Sequence, residues 1–168
     1  MGLHRRASFT PMRQVEGAGI RIREVLNDGR AEEVVLVNEG HVGQPMTGWS
    51  LASLRGVRVF HFEDGFVMEP GASVKIKSGD GVAHHPPAVL AWTDETVWNN
   101  RGDVALLFDC EGEEVARFAY PKARAERARR LPPHRLVAGE NGSFRIEATR
   151  RTPPRNRLKV SNVGKTRV

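Results

Sequence analysis

The chain has 168 residues, a formal net charge of +6, an apolar fraction of 39% and one cysteine. This length fits one ordinary domain with appendages, and the apolar fraction is on the low side for a chain that buries all its segments. No apolar run approaches the ~20 residues of a membrane helix, and residues 1–13 have no apolar signal-peptide region. Cys110 has no intramolecular disulfide partner, which favours a reducing cytoplasm. Neither membrane insertion nor secretion by a signal peptide is expected.

Charge is divided unevenly along the sequence. Residues 1–19 have a net charge of +2, residues 20–120 of −7 and residues 121–168 of +11. An acidic body followed by a basic tail marks a boundary in composition near Tyr120. We therefore predict an irregular arm over residues 1–19, a folded domain over 20–120 and a basic extension over 121–168.

Short apolar runs separated by turn residues fill residues 20–120, a pattern typical of a β-sandwich or barrel. In chain order, strands are predicted near residues 20–26, 34–37, 49–54, 57–62, 74–77, 89–92, 104–108 and 115–118. About eight short strands in about 100 residues indicate an all-β, immunoglobulin-like sandwich. Alternation along these strands predicts a core of Ile20, Ile22, Val35, Val37, Trp49, Leu51, Phe60, Phe62, Val74, Ile76, Leu90, Trp92, Leu106, Phe108, Val115 and Phe118.

The stretch over residues 96–109 combines a sharp turn with a buried strand. Its Asn-Asn-Arg-Gly-Asp segment is turn chemistry, and the apolar run 104–108 predicts a strand buried on both faces. The tripeptide at 101–103 matches an integrin-binding sequence, but we assign it to the turn. Trp98 is predicted to anchor the loop on the sandwich. We interpret six residues as a signature of the fold: Trp49, Trp98, Asn99, Asn100, Gly102 and Asp103.

Beyond Tyr120 the strand pattern ends. Residues 122–130 are rich in Ala, Arg and Glu, which predicts a short basic helix that stops before Pro132. The Asn-Gly pair at 141–142 predicts a small hairpin, and residues 158–163 allow one more extended segment. The extension has too little apolar surface to fold alone, so it either docks on a surface or stays mobile.

Several short motifs occur in a characteristic order. They are Glu33-Val34-Val35-Leu36-Val37-Asn38-Glu39-Gly40, Gly48-Trp49-Ser50-Leu51, Gly56 followed by Phe60-His61-Phe62, Met68 with Pro70-Gly71, Trp98-Asn99-Asn100-Arg101-Gly102-Asp103, and Leu107-Phe108-Asp109-Cys110-Glu111-Gly112-Glu113-Glu114-Val115 with Tyr120. With this order and spacing, residues 20–120 resemble the lamin tail domain family in its bacterial form. The resemblance implies an immunoglobulin-like sandwich used for interaction and anchoring, in some members with DNA or chromatin proteins, and no enzymatic activity.

Residues suited to catalysis or metal binding stand alone or fall in predicted turns. His84 and His85 share a Gly/Pro loop but lack the further ligands that zinc requires. Cys110 lies between Asp109 and Glu111, whose charges are expected to raise its thiol pKa rather than activate it. We therefore predict no catalytic residue, no metal ligand, no cofactor and no small-molecule substrate.

The basic extension provides the functional prediction. Ten residues are predicted to dock a partner or nucleic acid: Lys122, Arg124, Arg127, Arg129, Arg130, Arg150, Arg151, Arg155, Arg157 and Lys159. Contact with an acidic protein surface and contact with a phosphate backbone both fit this charge, and a solvated tail or one packed on its own acidic domain remains open. Phe144 is the only aromatic residue of the extension, so sequence-specific single-strand recognition is not predicted.

We predict a non-enzymatic structural module that docks onto a larger protein assembly through its basic extension. The alternative is non-specific nucleic-acid binding through the same residues. The predicted setting is the cytoplasm, or a virion or nucleoprotein assembly.

Overall fold

The computed structural model describes residues 8–150, apart from the side chain of Ala123. Its strands are β1 (Ile20–Asp28), β2 (Ala31–Asn38), β3 (Gln44–Pro45), β4 (Ser50–Ser53), β5 (Val59–His61), β6 (Val67–Met68), β7 (Ser73–Gly79), β8 (Val89–Thr93), β9 (Asp103–Phe108), β10 (Glu114–Tyr120), β11 (His134–Ala138) and β12 (Phe144–Ala148). One helix, α1 (Ala125–Arg130), follows a 3₁₀ turn at Lys122–Arg124, and a second 3₁₀ turn lies at Glu140–Gly142.

Eight of these strands build a sandwich of two four-stranded sheets. The strand order is β1-β2-β7-β8 in the first sheet and β10-β9-β4-β5 in the second. Neighbours within these sheets are antiparallel, except β7 and β8, which are parallel. The predicted all-β, immunoglobulin-like sandwich of about eight strands is confirmed. Two further pairs, β3-β6 and β11-β12, lie outside the two main sheets.

The main core lies between the two sheets, and the prediction of which β2 residues face it is wrong. Val34 and Leu36, both fully buried, belong to this core. The predicted residues Val35 and Val37 are also buried, at 7% and 3% exposure, but they lie outside the core cluster. Because both faces of β2 are covered, its continuous apolar run contains no alternation that distinguishes one face from the other.

Strand β9 shows the same reversal. Ala105 and Leu107 face the core between the sheets, whereas the predicted Leu106 and Phe108 form a second cluster with Ala52. The predicted burial of this strand on both faces is confirmed. The remaining predicted core residues are correctly placed, with Trp92, Val115 and Phe118 half-buried at the margin and the others buried: Ile20, Ile22, Trp49, Leu51, Phe60, Phe62, Val74, Ile76 and Leu90.

The hairpin of β11 and β12 covers the second cluster. Leu136 and Ile146 pack against it, and the Leu136 amide donates to the Gly112 carbonyl at 2.8 Å. A Cβ at Gly112, where φ is +78°, would lie 2.3 Å from the Leu136 carbonyl oxygen, so this approach needs glycine. The predicted helix and hairpin both form, and residues 122–148 pack on their own sandwich. The extended segment predicted at 158–163 lies outside the described residues.

Residues 8–19 contain no helix or strand, but hydrogen bonds hold them to the sandwich. The Trp49 indole Nε1 donates to the Met12 carbonyl at 2.7 Å. The side chain of the fully buried Gln44 accepts from the Val15 amide at 2.8 Å and donates to the Arg13 carbonyl at 3.1 Å. The division into three parts at residues 19 and 120 stays a prediction.

A buried carboxylate on β2 fixes the loop that leads into β9. Glu32 is 2% exposed and accepts hydrogen bonds from Ser78 Oγ at 2.7 Å, the Val97 amide at 2.7 Å and the Trp98 amide at 3.0 Å. Charge-assisted bonds of this kind compensate the loss of water around a buried carboxylate. The first sheet therefore determines where the chain enters the second.

Replacing Glu32 by Gln tests this contact. The substitution keeps the volume but turns one acceptor oxygen into an NH₂ group that faces a donor, so we expect the free energy of unfolding to fall by about 2–3 kcal/mol. Urea denaturation measures the loss. Glu24→Gln on the exposed surface of β1 is the control and should change stability by less than about 0.5 kcal/mol. Similar losses in both variants would contradict the role of Glu32.

Candidate docking site

The tripeptide at residues 101–103 is folded into the loop rather than displayed. Asp103 is 3% exposed, and its Oδ2 accepts from Ser53 Oγ at 2.6 Å. Its Oδ1 accepts from the Arg55 amide at 3.1 Å and the Val104 amide at 2.8 Å. This carboxylate is therefore engaged within the fold and is not presented to an integrin-like receptor.

The same loop contacts the start of the basic extension. Gly102 has φ of +120°, and a Cβ there would lie 2.6 Å from the Tyr120 carbonyl oxygen and 2.8 Å from Pro121 Cδ. Only glycine fits this backbone and this spacing. The Tyr120 hydroxyl donates to the Asn99 carbonyl at 3.0 Å. The loop thus fixes the point at which the extension leaves the sandwich.

The other residues of the predicted fold signature occupy distinct positions. Trp98 is 3% exposed and packs edge-to-face against Trp92, with ring centroids 5.9 Å apart. Trp49 is fully buried between the sheets, whereas Asn100 is exposed at the tip of the loop. The Asn99 side chain accepts from the Arg101 amide at 2.9 Å, which is an Asx turn.

An ion pair on β10 anchors the extension. The Arg117 guanidinium contacts the Glu114 carboxylate through both Nε and Nη2, and the two side chains are 20% and 8% exposed. Arg117 also donates to the Ala128 carbonyl at 2.7 Å and the Pro132 carbonyl at 3.0 Å. Glu114 in turn accepts from the His134 amide at 2.7 Å. One bidentate pair therefore holds the end of α1 and the start of β11 on the sandwich.

Five of the ten predicted docking residues come together on the 3₁₀ turn and α1. All five side chains are exposed: Lys122, Arg124, Arg127, Arg129 and Arg130. Glu126, the one acidic residue among them, lies 3.5 Å from Arg129 and 3.7 Å from Arg130. Arg150 is exposed at the end of the described chain, and the other four lie outside the described residues: Arg151, Arg155, Arg157 and Lys159. The docking role of all ten stays a prediction.

A groove of about 410 Å³ lies between β10 and α1, beside these basic residues. We call it the β10–α1 groove, and its lining combines apolar and basic side chains: Phe118, Tyr120, Ala125 and Ala128 with Arg117, Lys122 and Arg129. Sequence reasoning missed Arg117, Glu114 and the groove itself. The available signal was the abrupt change in composition at Tyr120, which marks one end of the groove.

Cys110 and His84, the residues weighed above for reactivity and metal binding, lie outside the β10–α1 groove. Burial raises the pKa of the Cys110 thiol, and the charges of Asp109 and Glu111 add to this effect. The predicted direction is confirmed, with burial as the larger cause. His84 Nδ1 accepts from the Ala91 amide at 3.1 Å. Within residues 8–150, no group of three or more His, Cys, Asp or Glu side chains is arranged to hold a metal ion, and no helix is long and apolar enough to cross a membrane.

Comparison with known proteins decides the family. The family model of the lamin tail domain matches residues 14–122. The chain belongs to the lamin tail domain family. The match extends from the arm across the whole sandwich to the 3₁₀ turn, and α1 and the hairpin lie beyond it. The resemblance inferred from the sequence motifs is confirmed.

Among individual proteins, this lamin tail domain is similar to human lamin-B2. The two sequences are 27% identical over 125 residues. The aligned part is 71% of this chain but 20% of lamin-B2, so the chain spans about a fifth of the length of that relative. The family assignment supports a structural, non-enzymatic module that interacts with proteins.

Tyr120 gives a pH-dependent test of the packing at the groove. Burial raises the pKa of its hydroxyl to about 12, and the charges of Asp103 and Glu32 add to this. Since the unfolded chain loses this proton near pH 10, the stability from burial is complete below pH 10 and is lost as pH rises towards 12. Because Tyr120 is the only tyrosine, absorbance of its phenolate follows the titration directly.

We expect a phenolate midpoint near pH 12 in the folded protein and near pH 10 in denaturant. The ring is partly exposed, so the stability difference between wild type and Tyr120→Phe should change by only about 1 kcal/mol over this range. A midpoint near 10 in both states would contradict the packing.

The ion pair of Arg117 and Glu114 gives a second prediction. Arg117→Met leaves a carboxylate buried without its cation and removes the guanidinium donor from the carbonyls of Ala128 and Pro132. We expect α1 and the hairpin to open about 100-fold more readily, a loss of about 3 kcal/mol. Hydrogen–deuterium exchange of amides 125–148 measures it. Arg135→Met breaks an exposed pair with Glu113, 3.1 Å apart, and should have little effect. Equal exchange in both variants would contradict the anchoring role.

Proposed function

We propose that this lamin tail domain is a structural module that docks onto an acidic protein surface of a larger assembly through the β10–α1 groove. The observation that supports this proposal is the combination of an apolar groove lining with a cluster of exposed basic side chains. Residues 122–130 contain five basic residues and one acidic residue, a net charge of +4, beside a body of residues 20–120 with −7. A concentrated field of one sign steers an oppositely charged partner to this surface.

The chemistry of the groove defines the partner further. Phe118 and Tyr120 are half-buried, so a partner side chain is able to cover their remaining apolar surface. Protein interfaces commonly combine a buried apolar anchor with a charged rim. The expected partner is therefore an acidic segment that presents one aromatic or aliphatic side chain.

The anchoring of the extension favours such docking. Arg117 and Glu114 fix α1 against β10, so the basic side chains of α1 project from a folded backbone. Binding then requires less ordering of the chain than a free tail would need. We further propose that the four basic residues 151, 155, 157 and 159 extend this surface, and that the protein works in the cytoplasm or in a virion or nucleoprotein assembly.

A triple charge reversal tests the proposal. The probe is a synthetic glutamate-rich peptide with one central Phe, compared with the same peptide carrying Ser in its place. We expect wild type to prefer the Phe peptide and Lys122→Glu/Arg124→Glu/Arg127→Glu to lose more than tenfold in affinity by titration calorimetry. Arg23→Glu/Arg30→Glu/Arg55→Glu changes the net charge equally at exposed sites of residues 20–120 and is the control.

Two results would contradict the proposal. An equal loss in the control variant would show that net charge, rather than this surface, binds the peptide. Equal affinity for the Phe and Ser peptides would remove the apolar groove from the docking site.

Non-specific binding of nucleic acid is the second candidate. The observation in its favour is that residues 150–168 contain seven basic and no acidic residues. If about six phosphates are neutralised, the affinity of the full chain for duplex DNA should fall with a log–log salt slope near −5. A filter-binding titration with that slope, together with no binding of the acidic peptides, would favour this alternative. No DNA binding at low salt would exclude it.

A further inference from the structure

Strand β12 has one unpaired edge. On one side it pairs with β11, and within residues 8–150 no strand pairs with its other side. An unpaired edge presents a row of backbone donors and acceptors to any strand that approaches it. The edge belongs to the hairpin and is separate from the β10–α1 groove.

The bonds that flank the hairpin show which pairs of residues are hydrogen-bonded. The Gly139 amide donates to the Ser143 carbonyl at 2.7 Å, and the Thr149 amide donates to the Pro133 carbonyl at 2.7 Å. In an antiparallel ladder, hydrogen-bonded and non-hydrogen-bonded pairs alternate. The pairs at 137/145 and 135/147 are therefore hydrogen-bonded, and the pairs between them are not.

The backbone of β11 agrees with this assignment. The Leu136 amide donates to Gly112, on the side away from β12, so Leu136 makes no backbone bond to its partner Ile146. Every second residue of β12 consequently directs its N–H and C=O outward. The free edge offers three donors and three acceptors, from Phe144, Ile146 and Ala148.

We propose that a second copy of this chain pairs with the free edge, β12 against β12, antiparallel about a twofold axis at Ile146. In this register the Ile146 amide and carbonyl bond to those of Ile146 in the second copy. Phe144 bonds in the same way to Ala148 of the second copy, and Ala148 to Phe144. All six outward groups are then used, and the twofold axis makes the interface closed and self-complementary.

Charge selects this register. The two residues between the outward groups are Arg145 and Glu147, both exposed and paired with each other within one chain. At the proposed register, Arg145 lies opposite Glu147 of the second copy, twice. A shift by one step places Arg145 opposite Arg145, and a shift the other way places Glu147 opposite Glu147. Directly opposed like charges destabilise a strand pair, whereas opposite charges stabilise it.

The size of the contact defines the expected strength. A pair of five-residue strands buries less than the roughly 1,200–2,000 Å² of a standard stable interface. The dimer is therefore weak and concentration-dependent. It would place two basic α1 helices on one particle, and so raise the avidity of any docking that they perform.

Sedimentation equilibrium of the full chain up to ~1 mM tests the proposal. We expect wild type to dimerise within this range, and Arg145→Glu and Glu147→Arg each to weaken the dimer at least tenfold. An equimolar mixture of the two variants should dimerise again, because each strand then opposes the other with complementary charge. The double variant Arg145→Glu/Glu147→Arg should also dimerise.

Two controls separate strand pairing from general charge attraction. Arg21→Glu and Glu39→Arg make the same charge changes at an exposed ion pair beside the first sheet, away from the hairpin, and they should leave the dimer unchanged. Ala148→Pro removes an outward amide without touching a bond to β11 and should weaken the dimer, whereas Ala148→Ser should not. Thermal unfolding checks that each variant is folded.

A monomeric wild type at 1 mM would overturn the proposal, including the case in which residues 151–168 cover the edge. Loss of dimerisation in the Arg21 and Glu39 controls, or failure of the mixed variants to associate, would overturn it as well.

Discussion

The Glu32 carboxylate is the interaction on which the arrangement of the two sheets depends. It lies on β2 of the first sheet and accepts from a hydroxyl and two loop amides, so a charge that would be costly to bury is compensated. The loop held in this way places Trp98 in the core and Asp103 at the start of β9. Gly102 then packs against the Tyr120 carbonyl, so the same contact also determines where the sandwich ends and the extension begins.

A second charged contact, the ion pair of Arg117 and Glu114 on β10, shapes the surface beside the β10–α1 groove. Both residues lie on an edge strand of the sandwich. Arg117 donates to the end of α1, and Glu114 accepts from the start of β11. The bonds of Arg117 to the Ala128 and Pro132 carbonyls and of Glu114 to the His134 amide cross from the region that matches the lamin tail domain family to the part of the chain beyond the match. The basic residues of α1 consequently project from a fixed surface beside the β10–α1 groove. Residues 122–148 form a covering layer with a charged exterior.

The β11–β12 hairpin has an inner face and an outer edge with different roles. Its inner face buries Leu106 and Phe108, which explains why β9 is apolar on both sides. Its outer edge has the symmetry of charge and hydrogen-bonding groups that a twofold strand pair requires. Covering one surface of the second sheet thus creates a new strand edge, and this edge is separate from the β10–α1 groove.

Much of this protein is determined by local sequence. Turn residues and short apolar runs predict the eight strands of the sandwich, including β9, as well as the helix before Pro132 and the hairpin at Asn141. They do so because backbone preference and side-chain period act over a few residues. Only the tertiary structure decides that Val34 and Leu36 rather than Val35 and Val37 face the core, since a strand covered on both sides has no alternation to show it. The contacts of Arg117 with the end of α1 and of Glu114 with the start of β11 are decided there too. The path of that segment depends on packing rather than on its own sequence.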